Sequence, residues 1–280
     1  ICSGELVFST QMTGYMEALT DPSYAGQILM FTYPLIGNYG VDHQNFESSG
    51  VQARGCVARE ISRTPTTHPS VAEYFEENGH FGISGVDTRN LTIKTRTAGT
   101  LRASLIVGSE DGDEAVRRAR AVPAISEIDL IGSVSCQEPY HISGPGKRIA
   151  VIDLGVKRHI LASLGHRGAD IYVFPHTAAP DEVMAAKPDA LLISNGPGDP
   201  ERATHAIRCV QDLAGEVPIA GICMGIQVVA RALGGETYKM KFGHRGTNQP
   251  VRSLDGSIAI TTQNHGFAVD EETLPEGCVV

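Results

Sequence analysis

Cys223 lies midway between Gly221 and Gly225 in the run Gly221-Ile222-Cys223-Met224-Gly225-Ile226-Gln227. Ahead of it is an apolar stretch, Val217-Pro218-Ile219-Ala220, and behind it a helical pattern, Val228-Val229-Ala230-Arg231-Ala232-Leu233. A cysteine flanked two residues either side by glycine at a strand-to-helix corner has the layout of a nucleophile elbow. The glycines permit the sharp turn and leave no Cβ to block approach, so the sulfur faces a cleft at a strand's C-terminal end. Amides at the N-terminus of the following helix favour the thiolate over the thiol. A cysteine that only filled space in a core would need neither the paired glycines nor a helix beginning beside it.

A second loop, Asn195-Gly196-Pro197-Gly198-Asp199-Pro200, follows a strand pattern and precedes a helical one, so its amides can point into the same cleft. The Gly198 N–H and the Met224 N–H would then form a two-donor oxyanion hole. A thiolate beside an oxyanion hole implies acyl transfer through a thioester. Such a mechanism needs a proton shuttle, usually a histidine held by a carboxylate. His265 sits in Gln263-Asn264-His265-Gly266-Phe267, but a loop histidine flanked by Asn and Gly suits a contact role. None of the ten histidines is followed two positions later by glutamate. Asp87, Asp153 and Asp199 are strand-end or loop acids with capping and bracing roles.

The elements that must position these groups follow from periodicity. From Arg148 onward strands and helices alternate: strands over 149–153, 171–174, 190–194 and 218–222, with helices over 156–164, 180–186 and 201–213. That spacing predicts parallel βαβ units with right-handed crossovers. Residues 236–251 and 257–269 read as antiparallel β insertions. The first half predicts a mixed β/α domain with strands over 5–10, 27–33, 51–57 and 82–84, and helices over 70–78 and 114–121. Ser70 and Glu73 have capping-box spacing. The Gly/Pro-rich segment Tyr140–Lys147 reads as the linker between domains at 1–143 and 148–280. Its Gly146-Lys147 pair lacks the spacing of a phosphate loop.

The chain has 280 residues, a net charge of −9 and 41% hydrophobic residues, enough for two cores. Its longest basic cluster is Val116–Arg120, one helix face, so nucleic-acid binding is not expected. Six cysteines without zinc spacing predict neither a disulfide scaffold nor a metal site, and fit a reducing cytoplasmic setting. No apolar run reaches the roughly 20 residues a bilayer span needs. The sequence opens at Ile1 inside a strand pattern and stops at Val280 as another begins, so a fragment of a longer protein, truncated at both ends, is expected.

Gly221–Gln227, Asn195–Pro200 and Gln263–Asp270 resemble the motifs of class I (triad) glutamine amidotransferases. Gly4–Tyr15, Leu19–Tyr24, Thr32–Gly40, Val86–Arg89 and Lys239–Gly246 resemble the small subunit of carbamoyl-phosphate synthases. The resemblance covers essentially the whole chain and implies hydrolysis of L-glutamine to glutamate and ammonia. The ammonia would pass to a large partner subunit that makes carbamoyl phosphate from bicarbonate and ATP, for arginine and pyrimidine biosynthesis. It implies no cofactor in this chain, with ATP, Mg and bicarbonate on the large subunit, and an α/β fold with an open, mostly parallel amidotransferase sheet. Cys223 matches the nucleophile. Ser23, Gly196, Gly198, Met224, Gln227, Asn264, Gly266 and Phe267 match glutamine-binding positions, Ser23 as an interdomain contribution. The catalytic histidine and glutamate are expected beyond residue 280, and His265 does not inherit that role. Ile226 stands where the family often has histidine. The alternatives are a stand-alone cysteine hydrolase of peptides or γ-glutamyl compounds, which would not require the Gly4–Gly40 motifs, and a non-catalytic binding module.

Overall fold

The computed structural model describes residues 1–109 and 111–279; Val280, the last residue of the expected second domain, lies outside them. In chain order the first half contains β1 (Cys2–Ser9), α1 (Tyr15–Leu19), β2 (Gln27–Phe31), β3 (Leu35–Ile36), β4 (Gly55–Val57), β5 (Glu60–Ile61), α2 (Val71–Glu77), β6 (Gly82–Ile83), α3 (Thr88–Ala98), β7 (Leu101–Leu105) and α4 (Gly112–Ala121). Then follow α5 (Ile131–Val134), β8 (Tyr140–Ile142), β9 (Arg148–Asp153), α6 (Arg158–His166), β10 (Asp170–Pro175), α7 (Pro180–Ala185), β11 (Ala190–Ile193), α8 (Thr204–Leu213), β12 (Ile219–Gly221), α9 (Met224–Ala232), β13 (Glu236–Arg252) and β14 (Ile258–Asp270).

These elements form two compact units. The first comprises Ile1–Glu127 together with Lys241–Asn264. Its sheet runs β6-β4-β2-β1-β7, parallel except where β7 pairs antiparallel with β1. Val7, Leu29, Phe31 and Cys56 pack into one apolar cluster, while Leu6, Ile28, Met30 and Val57 pack into another. Alternating residues of one strand thus serve opposite faces, as strand geometry dictates. The expected capping box is present at α2, with Ser70 Oγ accepting from Glu73 N–H and Glu73 accepting from Ser70 N–H. The basic cluster lies on α4, where Arg117 and Arg118 both pair with Glu114.

The second unit comprises Ile128–Met240 and His265 onward. Its sheet runs β12-β11-β9-β10-β8, with β12, β11, β9 and β10 all parallel. The near-continuous apolar runs of β9 and β11 are what a parallel strand covered on both faces requires. Ala150, Ile152, Leu191 and Ile193 pack with Val183 of α7, Val210 of α8 and Val228 of α9. Val151, Leu192 and Ile171 pack with Leu161 of α6. Each Val, Leu or Ile among them that is fully buried contributes about 1.5–3 kcal/mol of transfer free energy.

The expected linker over Tyr140–Lys147 is corrected by the structure, because Tyr140–Ile142 is strand β8, paired antiparallel with β10. The compact unit begins earlier than the expected residue 148, at Ile128, because Leu130 and Ile131 are buried and Ile131 joins the second unit's core. The two expected insertions are the strands of one two-stranded ribbon, β13 with β14. Lys241–Asn264 of that ribbon belongs with the first unit: Thr10 N–H donates to the Arg245 carbonyl at 3.1 Å, and Phe8 stacks on Phe242 at 5.8 Å. Among the described residues no helix is long and apolar enough to cross a membrane.

Candidate active site at the ends of the second sheet

In the second unit the chain places β9 centrally, adds β10 on one side, then crosses to add β11 and β12 on the other. The strand order therefore reverses between β9 and β11, and ligands bind outside the carboxyl ends of strands at such a switch point. The ends concerned carry Asp153, the Asn195–Pro200 loop and Cys223. Strands β11 and β12 run in register, Ile193 opposite Gly221, so both loops leave the sheet side by side.

Cys223 is the residue immediately before α9, half-buried, with φ 54° and ψ −109°. A positive φ is rare for a residue with a Cβ and costs of order 1–3 kcal/mol, which persists only where surrounding packing over-determines it. Here the packing is tight. Ile222 N–H donates to the Ile193 carbonyl at 3.0 Å, and Cys223 O accepts from Ile226 N–H at 3.1 Å. A Cβ on Gly225 would stand 2.0 Å from the Ile193 carbonyl oxygen, so the first turn of α9 lies directly on the end of β11. The Gly225 N–H donates to the Ile222 carbonyl at 2.9 Å, and Cys223 stands at the positive end of the α9 dipole, which favours negative charge there.

Other cysteines are less suited to this chemistry. Burial pushes the Cys56 thiol up to about 12 and Cys209 up to about 11. Burial, with the Asp153 charge beside it, pushes Cys136 up to about 12, and burial raises Cys2 as well. None of these four is a thiolate near neutral pH. None of the six cysteines forms a disulfide.

The Asn195–Pro200 loop is held by buried polar groups. Asp199 Oδ1 accepts from Glu201 N–H at 3.0 Å, and burial raises its carboxyl above the ordinary range. Asp153 Oδ1 accepts from Gly155 N–H and Val156 N–H at 2.8 and 2.7 Å, and its Oδ2 accepts from Cys136 N–H at 2.8 Å. Asp87 accepts from Asn90 N–H at the start of α3. All three acids brace or cap backbone.

The remaining sequence-predicted contacts fall into two sets. In the second unit Gln227, buried, donates through Nε2 to the Phe267 carbonyl at 2.6 Å, tying α9 to β14. His265 Nδ1 is 2.8 Å from that same carbonyl oxygen, so the ring carries its proton on Nδ1 and is engaged locally. In the first unit Asp21, buried, accepts from Ser23 N–H at 2.8 Å and from Asn264 Nδ2 at 3.2 Å. The sequence reading left out Asp21 and the side chains of Ser194 and Asn195. An Asp followed by Pro-Ser is the signal of a capped 3-10 turn and gives no hint of its distant partner Asn264.

The chain that carries this geometry matches known proteins over nearly its own whole length. A family model described as the carbamoyl-phosphate synthase small chain, CPSase domain, matches residues 1–105, and one described as glutamine amidotransferase class-I matches 150–280. A carbamoyl phosphate synthase small chain from Methanosarcina acetivorans is 53% identical, over 97% of this chain and 77% of that one. The chain belongs to the carbamoyl phosphate synthase small-chain family. Small chains from Archaeoglobus fulgidus and Caldanaerobacter subterraneus are each 47% identical, covering 78% and 74% of their own lengths. A small chain carries the N-terminal domain that a stand-alone hydrolase would not need, so that alternative is not favoured. Within this family member Ile226 is 56% exposed, on the first turn of α9, beside an apolar groove with Val229, Leu233 and Tyr238. Its neighbour Gln227 is buried, so residue 226 lies off the inward face of the elbow helix.

Proposed function

We propose that this chain is the glutamine-hydrolysing subunit of a glutamine-dependent carbamoyl-phosphate synthase, with Cys223 as nucleophile. The thiolate attacks the side-chain carbonyl carbon of L-glutamine, and the Gly198 and Met224 N–H groups stabilise the oxyanion. Collapse of the tetrahedral adduct breaks the C–N bond, the departing –NH2 taking up a proton to leave as ammonia, and a γ-glutamyl thioester remains on sulfur. Water attacks that thioester, releasing glutamate and restoring the thiol. Gly196, Gln227, Gly266 and Phe267 are proposed to contact glutamine alongside these groups. Ammonia then passes to a large partner subunit, which is proposed to hold ATP, Mg and bicarbonate. A cytoplasmic setting agrees with six cysteines outside any disulfide.

The observation that carries the reading is the strained Cys223 backbone at the start of α9, beside the Asn195–Pro200 loop, in a chain of this family. The test is Cys223→Ser in the intact two-subunit enzyme. Glutamine-dependent carbamoyl phosphate synthesis is expected to vanish while ammonia-dependent synthesis persists. Continued use of glutamine by that variant would refute the assignment.

A further inference from the structure

The oxyanion loop begins at Asn195, whose side chain does two opposite things at once. Its Oδ1 accepts from Lys157 N–H at 3.2 Å, and its Nδ2 donates to the Gly155 carbonyl at 2.8 Å. Lys157 is the residue capping the start of α6, so the amide spans the whole turn that follows β9. Asn195 is 3% exposed, which excludes water as a ready substitute for either bond. Its neighbour Ser194, wholly buried, accepts from Leu154 N–H and donates to the Asn195 carbonyl. A Cβ on Gly196 would stand 2.3 Å from the Leu154 carbonyl oxygen, so the loop backbone rests on that turn at contact distance. The turn itself is fixed from beneath by Asp153.

We propose that Asn195 is a positioning residue for the reaction: its amide holds the Gly196–Gly198 segment, and with it the Gly198 N–H, against the turn after β9. This deepens the reading of Cys223 and Gly198 given above and rests on it. A primary amide supplies a donor and an acceptor on separate atoms of one short rigid group at any pH. A donor displaced by about 1 Å from a developing oxyanion loses on the order of 100-fold in rate. Gly196 and Gly198 also meet glutamine in the ground state, but the bond to a developing oxyanion is stronger than one to a neutral carbonyl, so displacing the segment costs more in kcat than in KM.

Two variants test this in the full-length chain assembled with its large partner. Asn195→Ala is expected to lower kcat for glutamine-dependent synthesis by about 10- to 100-fold, with KM raised by a smaller factor than the fall in kcat and ammonia-dependent synthesis unchanged. Asn195→Asp offers a sharper signature. Protonated, the introduced carboxyl donates to the Gly155 carbonyl and accepts from Lys157 N–H; ionised, it turns a lone pair on that carbonyl. Below its pKa the bond is present, and it is lost as pH rises through it. Burial beside a carbonyl raises that pKa. The ratio of variant to wild-type kcat should therefore climb as pH falls from about 8 to about 6, division by wild type removing the enzyme's own acid–base profile.

An unchanged kcat in Asn195→Ala, a loss shared equally by ammonia-dependent synthesis, or a flat ratio in Asn195→Asp overturns the proposal. Cys223→Ser, assayed alongside, separates the two levels. If it still uses glutamine, the site reading itself fails; if it does not and Asn195→Ala behaves as wild type, only the role of Asn195 falls.

Discussion

At Cys223 activity and stability pull in opposite directions. Its φ of 54° is a conformation that glycine adopts freely and a residue with a Cβ does not. Cys223→Gly would relieve strain of order 1–3 kcal/mol, offset by roughly 0.5–1 kcal/mol of extra chain entropy on unfolding. Denaturant titration should show the variant more stable by about 1 kcal/mol, with glutamine-dependent synthesis abolished. A less stable variant would mean that sulfur packing outweighs backbone strain.

Among the elements, α9 depends on the absence of one methyl group. Gly225→Ala would set a Cβ 2.0 Å from the Ile193 carbonyl oxygen and 2.9 Å from that of Ser194. Both obstacles are backbone, so neither can swing aside and the helix must shift. We expect a loss of about 3–5 kcal/mol by denaturant titration and loss of the glutaminase step; a variant of wild-type stability would contradict the packing of α9 on β11. This corner was legible in the sequence because the rules governing it are local: glycine spacing, an apolar run ahead, a 3.6-residue pattern behind. The strands and helices of the second unit were legible for the same reason, with α8 starting at Thr204 where residue 201 was expected. Strand β8 was not, since three residues between glycines and prolines carry no periodicity and become a strand only through pairing with β10. Helix α3 was hidden as well: its Thr-rich sequence from Thr88 to Ala98 is weak in helix propensity. The clasp of Asp21 on Asn264 joins positions 243 apart, and no local pattern encodes that.

On the scale of the whole molecule, each unit carries its own apolar clusters, with Phe31 and Leu29 in one and Ile152 and Ile193 in the other. Yet neither unit is continuous along the chain, because the first recruits Lys241–Asn264 from the β13–β14 ribbon. Dividing the chain between Glu127 and Ile128 would therefore not deliver a self-contained module. The shortened product would strip Thr10 of its bonds to Arg245 and Asn248, Thr100 of its bond to Lys241, and Phe8 of its stacking partner Phe242. Residues 1–127 expressed alone should melt at a lower temperature than the same residues with 241–264 grafted back through a short flexible tether; equal melting temperatures would show the ribbon to be dispensable. The ribbon thus makes the gene's halves inseparable parts: a recombination event exchanging one half for a relative's would have to carry along a 24-residue piece of the other.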